Sequence, residues 1–83
     1  MEQIARTPQQ IGAAVRRVRR QQNLTQAKLG AKVTFRQATV SKLEAGEPRT
    51  QLCTLLDVLG ALNLELVIRP RTSTTQSDFE TIF

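Results

Sequence analysis

Eighty-three residues with 40% hydrophobic side chains, no Trp or Tyr and three Phe describe one domain whose core must come from Leu, Val, Ile and Ala, a composition that suits helices packed on helices. With no His and a single Cys, the chain can form neither an internal disulfide nor a His-based metal or acid–base cluster, so no enzyme chemistry, metal or other cofactor is expected. The net charge of +5 is uneven, with all twelve Lys and Arg and five acids in residues 1–71 against Asp78 and Glu80 alone in residues 72–83; a basic body fits a polyanion as readily as mere solubility, and position must decide.

Thr7-Pro8 marks a helix start, the hydroxyl accepting from an unpaired amide and proline standing where its missing N–H costs nothing. Ile11, Ala14, Val15 and Val18 then form one apolar stripe at i, i+3, i+4 and i+7, and the helix is expected to end near Gln22. Arg16, Arg17 and Arg20 point elsewhere, whereas Arg19 returns to the stripe at i+8 from Ile11. Thr25 caps a second helix, with Leu24 placed to pack on Leu29 as a hydrophobic staple, and small residues such as Ala27, Gly30 and Ala31 keep that helix thin until about Lys32 or Val33. The third helix repeats the staple with Phe35 and Val40, places Arg36 at its cap and Val40, Leu43 and Glu44 on its inward face, and ends at Gly46. Thr50 is expected to cap a fourth helix carrying Leu52, Leu55, Leu56, Leu59 and Leu62 and closing at Asn63, with Cys53 as a small buried hydrophobe.

"LELVIR", residues 64–69, alternates Leu64, Leu66 and Ile68 against Glu65, Val67 and Arg69 before Pro70. The period of two reads as a strand that must pair with another molecule; the alternative is a short fifth helix folded onto the core. From residue 72 the chain is poor in apolar residues and reads as a disordered acidic tail in which Phe79, Ile82 and Phe83 could dock on a partner. No stretch approaches the roughly 20 apolar residues of a membrane span and no leader pattern opens the chain, which points to a cytoplasmic, nucleoid-associated protein with neither membrane nor small-molecule substrate.

A thin helix, a tight connection and a second helix with a polar outer row make a helix-turn-helix, whose second helix enters a DNA major groove. "LTQAKLGAKVTFRQATVSKLEAG" resembles the DNA-binding domain of Cro and the lambda-type (Xre-like) phage repressors over residues 12–66, with the helix-turn-helix at 25–44 inside a domain of residues 1–71. The expected fold is mainly α, a compact four- to five-helix lambda-repressor-like domain with a C-terminal strand pairing across a dimer. Through "VRRQQNLTQ", "RQATVSKLE" and "TQLCTLLDVLGALNLEL" the chain is most similar to the HipB-type antitoxins. That resemblance implies a homodimer joined by the two "LELVIR" strands, with the fourth helix as the alternative interface. It also implies an operon repressor that binds a HipA-type serine/threonine kinase toxin. A stand-alone phage-type repressor and a protein-interaction module with weak DNA binding are the other readings.

The outer row supplies the chemistry. Arg36 can take guanine O6 and N7, Gln37 can take adenine N6 and N7, Ala38 fits a thymine methyl, and Ser41 and Lys42 reach the next bases or the backbone. Thr25, Gln26, Lys28 and Thr39 are candidate phosphate neighbours. The resemblance pairs Arg19 with Glu44 as a partly buried bridge that fixes geometry more than it adds stability. Two positions depart from the family pattern. Thr34 replaces the turn glycine, so the turn should be strained or differently shaped, and Lys28 replaces a capping-box glutamate.

Overall fold

The computed structural model describes residues 2–71, and the acidic tail expected at residues 72–83 lies outside the described residues. Four helices follow in order: α1 Pro8–Gln21, α2 Gln26–Lys32, α3 Gln37–Glu44 and α4 Leu52–Ala61. α1 and α2 both pack on α3, and α4 packs on α2.

The first two helices start as their sequences dictate. Thr7 accepts from the Gln10 amide at 3.1 Å with Pro8 in the first turn, and Thr25 accepts from the Lys28 amide at 3.1 Å. Arg36 stands at the cap of α3 and makes no capping bond. Thr50 does not cap α4. The turn after Gly46, held by Glu47 accepting from the Arg49 amide at 3.0 Å, uses one more residue than expected, so Thr50 spends its amide on the Glu47 carbonyl and Gln51 takes the cap position without a side-chain capping bond.

All four helices end in the same way, with a left-handed residue just past the cap and the next amide turned back to a carbonyl of the last turn. The closing bonds run from Leu24 to Arg19 (3.1 Å), Phe35 to Gly30 (2.8 Å), Glu47 to Lys42 (3.1 Å) and Leu64 to Leu59 (2.8 Å). The left-handed residues are Asn23, Thr34, Gly46 and Asn63. Asparagine tolerates this conformation and glycine is free in it, but a β-branched threonine is not. Thr34, at φ 58°, therefore strains a turn whose shape is otherwise the same as the other three.

Val15, Leu29, Val40, Leu43, Val58 and Leu62 form the core, and the two staple partners Leu24 and Phe35 pack against it. Gly12 lets α1 lie directly on the end of α3: a Cβ there would stand 2.5 Å from the Glu44 carbonyl oxygen and 2.6 Å from that of Leu43. The apolar face of α4 is divided. Leu62 and Val58 are buried and Leu55 and Leu59 half-buried, but Leu52 is 62% and Leu56 44% exposed. Cys53, expected inside, is exposed in the first turn.

Residues 64–71 are neither a strand nor a fifth helix. The left-handed Asn63 and the Leu64–Leu59 bond end the helix and turn the chain, and a strand needs a partner edge that no other described segment offers. Leu64 packs on the core, whereas Leu66 is 52% and Ile68 94% exposed. An open groove of about 660 Å³ separates this segment from residues 2–6, with Ile11, Ala14, Leu55 and Leu59 in its walls. Among the described residues no helix is long and apolar enough to cross a membrane.

Candidate nucleic-acid interface

α3 has two faces of opposite character. Val40, Leu43 and Glu44 point inward and are buried, while Arg36, Gln37, Ala38, Ser41 and Lys42 are all exposed. Among the described residues, the side chains of Arg36, Gln37, Ser41 and Lys42 make no hydrogen bond. Their donors and acceptors are unspent, and each is of a kind that matches a base edge or a phosphate oxygen. Thr25 and Lys28 are exposed at the start of α2, and Thr39 is half-buried on the flank of α3.

Behind this row lies a buried polar network. Arg19 Nε stands 2.6 Å from Glu44 Oε2, and Nη2 stands 3.0 Å from Oε1, a two-pronged ion pair with the residues only 7% and 9% exposed. The third nitrogen, Nη1, donates to the Leu24 carbonyl at 2.7 Å. The hydrogen bond from Glu44 holds the Arg19 guanidinium above its ordinary pKa, against the opposing effect of burial, so its charge is permanent. The network joins the last turn of α1, the entry to α2 and the last turn of α3.

Gln26 belongs to the same network, a role that sequence reading missed. Its Nε2 donates to Glu44 Oε1 at 3.1 Å and the residue is half-buried, so its side chain is committed to the protein before any phosphate. One N–H and the amide oxygen remain for a ligand. A buried carboxylate seeks more donors than one arginine supplies, and that was the available signal.

A helix-turn-helix family model matches residues 15–68. The chain belongs to the Xre-type helix-turn-helix family. Within it the chain is HipB-like: it is 34% identical over 62 residues to the antitoxin HipB of Escherichia coli O6:H1, covering 75% of this chain and 66% of that protein. The HipB-like chain is also 40% identical over 63 residues to the HTH-type transcriptional regulator y4mF of Sinorhizobium fredii, covering 76% and 83% of the two. Among solved structures, a chain of a HipA–HipB–O2–O3 complex superposes with a TM-score of 0.79 at 31% identity, covering 86% of this chain and all of that one.

Proposed function

We propose that this protein is a sequence-specific DNA-binding repressor that works as a homodimer on a palindromic operator, and that it is the antitoxin of a toxin–antitoxin operon, controlling its own operon and binding a HipA-like serine/threonine kinase toxin. The observation that carries the DNA reading is the row Arg36, Gln37, Ala38, Ser41 and Lys42, exposed and free of internal hydrogen bonds on a helix whose other face is locked in the core. In this reading α3 lies in the major groove. Arg36 and Gln37 read bases through paired hydrogen bonds worth about 1–3 kcal/mol of discrimination each, Ala38 meets a methyl, and Ser41 and Lys42 continue the contact. Thr25, Lys28, Thr39 and the free half of the Gln26 amide meet phosphates beside the groove.

A two-fold dimer places its two α3 helices one turn of DNA apart, about 10 to 10.5 base pairs. The exposed Leu52, Leu56, Leu66, Val67 and Ile68 support a second copy as the occupant of the α4 and C-terminal surfaces. The toxin part of the reading draws its support from the likeness to HipB and from the HipA–HipB–O2–O3 complex. The higher identity to a regulator described only as HTH-type favours a second reading, a stand-alone repressor without a toxin.

Selection of duplexes from a randomised pool, followed by titration with Arg36→Ala and Gln37→Ala, tests the DNA reading: each variant should lose affinity at one position of the site while remaining dimeric. Binding unchanged in both would overturn it. Co-expression with the product of the neighbouring open reading frame tests the toxin reading, and a neighbour unlike a kinase favours the stand-alone repressor.

A further inference from the structure

The chain carries nine Lys and Arg and no carboxylate between Glu2 and Glu44. Four of those bases are arginines on α1, and the structure treats them in two ways. Arg19 is spent on Glu44, and Arg17 donates from Nη1 to the Gln3 side chain at 2.6 Å. Arg16 and Arg20 are exposed and, among the described residues, make no hydrogen bond or ion pair. Like charges one helical turn apart are mildly unfavourable, and no acid has been placed to relieve them.

Their position follows from the packing of α1. Gly12 and Arg19 face α3, and Gln9 lies against Gly46, where a Cβ on the glycine would be 2.9 Å from the Gln9 Cα. Gln9, Arg16 and Arg20, spaced by seven and four residues, fall on one strip beside that contact face. Arg17 falls beyond the strip, on the back of α1 away from α3, where it meets Gln3. The strip thus runs from the turn that ends α3 toward the entry of α2, where Arg19 holds the Leu24 carbonyl. Both ends of the strip thus meet elements of the helix-turn-helix, the turn after α3 at Gly46 and the entry of α2 at Leu24.

We infer that Arg16 and Arg20 form a second contact strip on α1 that grips the DNA sugar-phosphate backbone beside the groove entered by α3. This rests on the DNA-binding reading and adds two positions to the phosphate neighbours already named. The strip neutralises phosphates without reading bases, so it strengthens binding to every duplex by the same factor.

The test is a salt titration of a fluorescent duplex selected by the wild-type protein, and of a scrambled duplex of the same length. Proteins compared are the wild type, Arg16→Gln/Arg20→Gln and the charge-matched Arg17→Gln/Arg71→Gln, each checked for folding by circular dichroism. The α1 strip variant should lower the slope of log affinity against log salt by about 1 per arginine removed, with the same fold loss on both duplexes, while the charge-matched control stays close to wild type. A strip variant indistinguishable from the control overturns the inference alone and leaves the row on α3 untouched. Failure of the wild-type protein to bind any selected duplex overturns the DNA reading and the strip with it.

Discussion

Residues 7–46 and residues 47–71 satisfy their side chains by different means. In the first stretch two helices are capped by threonines, the inner face of α3 is sealed, and the buried charges meet inside one network of four hydrogen bonds. In the second, α4 has no side-chain cap, two of its leucines face outward, and the chain after Asn63 leaves Leu66 and Ile68 in solvent. The first half is complete as a single copy. The second carries apolar surface that a single copy does not use, which is the physical sign of a surface meant for another molecule.

The largest effect should come from breaking the complete half. Glu44→Gln leaves Arg19 buried without its counter-charge and turns one of the two oxygens that Arg19 and Gln26 share into a donor; breaking a buried pair this way costs about 3–5 kcal/mol. Chemical denaturation would show it as a large drop in midpoint. Replacing both partners with apolar residues, as in Arg19→Met/Glu44→Leu, should recover much of that loss while weakening operator affinity, because the network orients α3 as well as holding it. A double variant that folds well and binds as the wild type does would remove the orienting role.

The incomplete half should respond in the opposite way, with association lost and folding kept. Leu56→Asp/Ile68→Asp puts charge on side chains that are already 44% and 94% exposed, so the melting of a monomer should hardly change. If those side chains are buried between two copies, losing about 3 kcal/mol of apolar burial raises the dimer dissociation constant about a hundredfold. Sedimentation at micromolar concentration reads this directly. An unchanged dimer would move the interface to other surfaces. A smaller gain is available at the bare cap of α4: Gln51→Asp should add about 1 kcal/mol, or about 4–8 °C in Tm compared at one protein concentration.

The same division governs what could be read in the sequence. Thr7-Pro8, Thr25 and the staple pairs Leu24–Leu29 and Phe35–Val40 are local signals, and the helices begin where they say. The inward and outward faces of α3 follow from a period of 3.6 residues, so which of its side chains are buried and which exposed is legible residue by residue. Thr50 was misplaced because the length of the turn after Gly46 depends on how Glu47 meets the Arg49 amide, which no composition rule encodes. The sequence places Gln26 at a phosphate alone, because its internal partner Glu44 lies 18 positions away on another helix. The alternation in residues 64–69 was real, but alternation describes side chains; whether the backbone becomes a strand depends on a second edge outside the chain.

The smallest effect concerns the turn between α2 and α3, and the other helix ends show how to test it. Asn23 and Asn63 occupy the same left-handed position that Thr34 holds, with φ 59° and 60° against 58°, and close the same pair of backbone bonds. Thr34→Asn should therefore keep the turn and stabilise the protein by about 0.5–1 kcal/mol, part of the 1–2 kcal/mol that a left-handed conformation costs an ordinary L-residue. Thr34→Gly relieves the same strain but adds freedom to the unfolded chain, so it should gain no more than asparagine does. The side chain itself argues the other way: Thr34 Oγ1 donates to the Val33 carbonyl at 2.6 Å, a bond that glycine lacks. Thermal melts of the two variants separate these contributions. A loss of stability in Thr34→Gly together with a gain in Thr34→Asn assigns the difference to the freedom glycine adds to the unfolded chain, whereas a loss in both, each variant lacking Oγ1, assigns the balance to that hydrogen bond.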